Sequence, residues 1–343
     1  MKRGDGLALD DRKQQILKAV VEDYIMSAEP VGSKALVEKY KLNYSSATIR
    51  NDMKSLEENG YLSQPHVSSG RIPSTKGYRY YVDNLMKEKK LSMVEINYIE
   101  NCISGFGDYQ GLIEEASKVV SKVLNVPTVC SIRQDDIIES IKVVNISDRI
   151  LMIVLISKTG AIKDCIVKIN ENISEEMMSQ MNSVLNENLK DTPFQKISDV
   201  LNSLIEREIS IYKSVIDDIT RTVEQEVLKK ENIKINSETV PALLGLPEFE
   251  DIGKARNLLN LLSAKDVLDT TLNKVPTNDL SIVIGNEIEE LVLKDYTIVS
   301  LNVKNNDETV GKIGVIAPKR LDYSKTISTL KYIDKKLKDI LKK

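Results

Sequence analysis

Residues 44–81, YSSATIRNDMKSLEENGYLSQPHVSSGRIPSTKGYRYY, constrain the fold more than any other stretch, because they set a complete amphipathic helix ahead of a hairpin. Ser45 and Ser46 both suit a helix N-cap, and Gly60 suits the position just past the helix end. Between them Ile49, Met53 and Leu56 recur at three- and four-residue steps and predict a buried stripe, while Ser46, Arg50 and Asn51 lie opposite, with Thr48 at the flank. Tyr61 and Leu62 then open a strand, and HVSSGRIPS turns the chain back. Two helices are expected upstream. Residues 10–27 place Ile16, Ala19, Val20, Tyr24 and Ile25 on one side and end at Pro30; Ser33 caps a shorter helix that turns Leu36, Val37 and Tyr40 inward. The order is that of a helix-turn-helix with a wing.

The polar residues on this frame suit a phosphate-bearing polymer. An arginine fork can bond guanine, and an asparagine amide adenine, through two hydrogen bonds each. Ser45, Ser46, Thr48, Arg50 and Asn51 are therefore candidate major-groove contacts. On the hairpin, His66, Ser68, Ser69 and Arg71 surround Gly70, a set fitted to phosphate or the minor groove; Lys76 follows as a candidate backbone contact. No acid interrupts residues 60–82, which hold Arg71, Lys76 and Arg79. The net charge of −3 is unevenly spread: 14 Lys and Arg face 11 Asp and Glu over residues 1–87, against 34 and 40 over the remainder. Any basic footprint is thus local. A solvated helix face and an ordinary loop use the same residue types, and only their succession favours nucleic acid. Tyr78, Tyr80 and Tyr81 could stack, or pack the wing onto the helices.

Little is left for catalysis. His66 is the only histidine, and the cysteines at 102, 130 and 165 have no CxxC spacing, so they read as reduced core residues and no cofactor or metal is expected. GFGDYQG (105–111) is the only glycine cluster and lacks the dinucleotide-loop pattern, so it reads as a turn. With no apolar leader and no 18-residue apolar run, the expected location is cytoplasmic, away from membranes.

The 343 residues allow two or three domains. ESIKVVNIS (139–147), RILMIVLIS (149–157) and AIKDCIVKI (161–169) predict an antiparallel meander. Helices follow, among them a long amphipathic one from Glu206 to about Lys230 that could dimerise or cover the meander; no strict heptad persists. After Pro241 come a helix over 252–272, strands LSIVIG, YTIVSLNVK and GKIGVIA, and a closing helix over 323–341 whose lysines 335, 336, 338, 342 and 343 read as a solvated face. This is an α+β pattern, completed by a helix around 109–124.

EPVGSKAL and SSATIRNDMKSLEENGYLSQPHVSSGRIPSTKGYRYYVD, with ALLGLPEFED (242–251), SIVIGNEI (281–288) and IGVIAPKRLDY (313–323), resemble the HrcA family of heat-inducible transcription repressors. Ala317 and Leu321 stand where the family pattern has Gly and Met. The resemblance implies a multidomain α+β protein: a winged helix-turn-helix (1–88), a linker with the first part of a GAF-like domain (89–136), a dimerisation domain inserted in it (137–235) and the rest of the GAF-like domain (236–343). It further implies a homodimer on an inverted-repeat DNA operator of chaperone operons, released on heat stress, with chaperonin as modulator. A metabolite-responsive regulator is the alternative, with a small molecule at Gly285, Asn286 and Glu287, where GAF folds often bind ligands.

Overall fold

The computed structural model describes residues 9–66, 69–103, 109–132, 137–158, 160, 162–170, 172–207, 213–223, 233–276, 278–287, 293–305 and 308–341. At the N-terminus Asp10 caps helix α1 (Asp11–Ser27) by accepting the Lys13 N–H. The helix ends at Ser27, as expected, and Ala28 turns left-handed at φ 60° ahead of Pro30. Helix α2 (Ser33–Tyr40) is capped by Gly32; Ser33, expected as the cap, is its first residue, and only Leu36 of its expected core residues is fully buried. Helix α3 (Ser46–Glu58) has Ser45 as N-cap and buries Ile49, Met53 and Leu56 as expected.

The hairpin is shorter than its sequence suggested. Strands β1 (Leu62–Ser63) and β2 (Ile72–Pro73) pair antiparallel, and the chain then enters helix α4 (Thr75–Tyr80), which leads into a π-helical turn (Tyr81–Leu85). Tyr78 and Tyr81 are buried on that helix and turn. Ser74 starts α4 by accepting the Gly77 N–H, a cap hidden within a run that reads as loop.

Helices α5 (Met93–Cys102) and α6 (Tyr109–Leu124) lead into a five-stranded antiparallel sheet. Its strands are β3 (Thr128–Ile132), β7 (Ile233–Asn236), β8 (Leu280–Ile284), β9 (Tyr296–Asn305) and β10 (Glu308–Pro318), in the order β7-β3-β10-β9-β8. Thr297 points to one face, toward Tyr323 of the closing helix α13 (Tyr323–Leu341), with which it shares a 3.0 Å hydrogen bond. Lys312 points to the other and donates to the Leu272 carbonyl at 2.8 Å. The helix expected over 252–272 is broken at Ala264 into α11 (Ile252–Ser263) and α12 (Lys265–Lys274), which with the short α10 (Val240–Leu244) precede β8.

Between β3 and β7 lies a unit with its own core. The expected meander is present as β4 (Ile138–Ser147), β5 (Ile150–Ser157) and β6 (Ile162–Lys168), and α7 (Glu175–Leu189), α8 (Ile197–Arg207) and α9 (Lys213–Thr222) accompany it. Of the long helix expected from Glu206 to Lys230, residues 208–212 and 224–230 lie outside the described residues. Val143, Leu151, Ile153 and Val167 of the sheet cluster with Leu185, Leu201 and Ile219, separate from the larger core that runs from Ile16 to Leu337. Because β3 and β7 pair with each other, this unit leaves and re-enters the five-stranded sheet on adjacent strands.

Candidate nucleic-acid interface

The start of α3 is fixed by its own hydroxyls. Ser45 Oγ accepts the Thr48 N–H at 3.1 Å and lies 2.9 Å from Thr48 Oγ1, while Ser46 Oγ meets Ser33 Oγ of α2 at 3.1 Å. These three residues, expected as base contacts, have hydroxyls that hold the helix start and its seat on α2. One turn on, Arg50 and Asn51 are exposed, and among the described residues neither side chain has a hydrogen bond or ion pair. They are the two members of the expected set presented free, and both carry two-point hydrogen-bonding groups.

A neighbour on the buried side was not legible from the sequence. Asp52 is 6% exposed and takes two hydrogen bonds from Arg12 of α1, at 2.7 and 3.2 Å, while the Arg12 guanidinium lies 5.6 Å from the Tyr44 ring centroid. The carboxylate holds the Arg12 guanidinium above its ordinary pKa. Asp52 follows Asn51 directly, so this pair ties α3 to α1 beside the exposed Arg50 and Asn51.

The hairpin residues divide in the same way. Arg71 donates Nε to Glu57 of α3 at 2.8 Å, and its backbone exchanges two 2.9 Å hydrogen bonds with Val31. These bonds tie the hairpin to α3 and to the α1–α2 connection. Gly70 lies between Ser69 and Arg71. A Cβ there would lie 2.4 Å from the Val31 carbonyl oxygen, so the space is taken by the protein's own backbone. Ser69 Oγ donates to the His66 carbonyl at 2.7 Å and accepts the His66 N–H at 3.0 Å, which closes the tip. His66 is exposed at that tip, and Ser68 lies outside the described residues. Lys76 is exposed but donates Nζ to the carbonyl of Asn59, the C-cap of α3, at 2.9 Å, with the Tyr61 ring centroid 4.3 Å away.

At Gly285–Glu287, suggested for a small molecule, Glu287 is engaged within the protein. Glu287 accepts the Ile284 N–H at 2.9 Å and pairs with Arg79 of α4. In the GFGDYQG segment residues 105–108 lie outside the described residues, and Tyr109–Gly111 begin α6. Cys130 and Cys165 are buried and joined in no disulfide, and burial pushes the Cys130 thiol up to about 11. Among the described residues no helix is long and apolar enough to cross a membrane.

Residues 110–327 match the family described as HrcA protein C terminal domain. The chain belongs to the HrcA family. It is 35% identical to the heat-inducible transcription repressor HrcA of Ruminiclostridium cellulolyticum over 98% of this chain and 99% of that one, so the similarity to HrcA proteins includes the helices and hairpin ahead of the matched domain. The HrcA repressor of Thermoanaerobacter pseudethanolicus is 33% identical over 98% of both chains. A hypothetical protein with a crystal structure at 2.2 Å resolution has a TM-score of 0.70 at 22% identity, covering 97% of this chain and 98% of its own; it shares the α+β fold.

Proposed function

We propose that this chain is a heat-inducible transcription repressor that reads duplex DNA with Arg50 and Asn51 of α3 in the major groove and the His66 tip at the backbone or minor groove. The carrying observation is that exposed pair, without a partner among the described residues, on a helix tied to α1, in a chain that matches a repressor of the family over 98% of its length. Residues 1–88 are then the winged helix-turn-helix, the five-stranded unit a GAF-like domain, and the three-stranded unit a dimerisation domain inserted within it. Val144, Ile146, Ile162 and Ile166 are all exposed on β4 and β6, and this apolar sheet surface supports pairing with a second copy. Two copies would place two α3 helices on an inverted-repeat operator of chaperone operons, and heat would release it, with chaperonin as modulator.

Selection of bound DNA from random duplexes tests the reading: the expected product is an inverted repeat, and recovery of random sequence would remove it. Sedimentation through a temperature ramp, without and with chaperonin, tests the release step. Loss of the dimer together with operator binding is expected; an intact dimer that no longer binds would exclude dissociation as the switch.

A further inference from the structure

Three segments of the C-terminal half carry the family resemblance but supply no DNA contact in the reading above: ALLGLPEFED, SIVIGNEI and IGVIAPKRLDY. One ionised side chain from each, Glu248, Glu287 and Arg320, meets at the junction with the N-terminal helices. Arg320 forms a two-point pair with Glu248, one bond at 3.1 Å, and donates Nη1 to the Ile25 carbonyl of α1 at 2.7 Å. The last turn of α1 holds no basic residue of its own, so Arg320, far along the chain, supplies the cation that its free carbonyls favour. From the other side Arg79 of α4 donates Nε to Glu287 at 2.7 Å and Nη2 to the Ile282 carbonyl of β8 at 2.8 Å. Tyr78 packs on Tyr323 with ring centroids 5.8 Å apart, and a Cβ on Gly285 would lie 3.0 Å from Thr75 Oγ1, so the two units touch closely here.

These pairs differ from ordinary surface ones. Arg320 and Glu248 are 11% and 21% exposed, against 70% and 65% for Lys54 and Glu58 on α3. Each arginine also binds a carboxylate and a main-chain carbonyl at once, and a planar fork held at both ends fixes an angle as well as a distance. Burial alone would need no such geometry.

We propose that Arg79, Glu287, Arg320 and Glu248 are positioning residues for DNA reading. They set the angle of α3 against the five-stranded unit, and so set which half-site spacing the paired copies accept. The inference rests on the dimeric DNA reading above and assigns its spacing rule to a junction that touches no DNA.

The test uses full-length protein and duplexes with two half-sites at the selected spacing, the same duplex lengthened by roughly 5 base pairs, which is half a helical turn, and a single half-site. The parent should prefer the selected spacing. Arg320→Lys, which keeps the charge but loses the fork, and Arg79→Met should each bind that duplex about tenfold more weakly, with the other two duplexes bound as before, because a loosened joint lowers the effective concentration of the second reader. An unchanged spacing profile, or an equal loss on all three duplexes, would overturn the proposal. A second measurement needs no DNA: spin labels at Lys34→Cys and Lys335→Cys in a Cys102→Ser background, with labelled chain diluted in unlabelled chain. The label distance should be narrow in the parent and broad in both arginine variants; equal widths would sink the idea. A parent that ignores the second half-site defeats the dimeric reading instead, while the label distances still judge the junction.

Discussion

Arg50 and Arg71 carry the same charge in opposite surroundings, and a sequence does not separate them. Arg50 is free, so Arg50→Ala should weaken specific operator binding by about 1–3 kcal/mol while leaving random DNA nearly as before. Arg71 is held by Glu57, so Arg71→Ala and Glu57→Gln should weaken binding to the same extent, without flattening its salt dependence. Titrations at two salt concentrations check both, and a reduced salt slope in Arg71→Ala alone would return that residue to the phosphate backbone. The helical period placed Arg50 and Asn51 on the exposed side correctly because face is a local property. Partners such as Glu57 for Arg71, or Arg12 for Asp52, depend on where the hairpin and α1 fall, and periodicity carries no such information.

At the scale of elements, β4 shows how an edge strand is kept covered. Asn186 and Asn182, one turn apart on α7, each bond both backbone groups of one β4 residue: the N–H and carbonyl of Ile141 at 2.9 and 2.6 Å, and those of Val143 at 2.8 and 2.9 Å. Their side-chain amides take the place of a fourth strand. Asn182→Leu leaves the Val143 pair unanswered and should cost about 1–3 kcal/mol, read as a lower midpoint in urea. Ile166→Asp, on the exposed side of the same sheet, should yield monomer in sedimentation with the fold intact by circular dichroism; a dimer that survives would move the interface elsewhere. The meander was legible because three β-branched runs sit between turn signals. Strands β3 and β7, of 5 and 4 residues, were not, since their pairing spans the whole inserted unit.

Across the whole molecule, α5 is pinned along α13 by charge. Lys325, followed by the Ser92 backbone N–H and hydroxyl, holds the Glu95 carboxyl down from its ordinary 4.5 to about 2. A carboxyl lowered in the folded state adds stability that is present above about pH 4.5 and lost as pH falls toward 2. Glu95→Gln should therefore flatten the pH dependence of Tm in that window and leave it unchanged near pH 7. Further along the helix Lys336 pairs with Glu100 of α5 at 2.5 Å and Lys338 with Asp279, ahead of β8, at 3.6 Å, so these two lysines, expected on a solvated face, help fasten the molecule together.

The sequence by itself determined the order of helices and hairpin, the inward stripe of α3, the meander and the family, because each is written in local period, caps or motif residues. Only the tertiary structure decided which polar groups of the helices and hairpin have partners within the protein. It placed Glu57 against Arg71, Asn59 under Lys76, and Glu248, Glu287 and Arg320 at the joint with the N-terminal helices. A charged side chain is available only if nothing distant in sequence folds back to satisfy it, and that is a property of the folded chain.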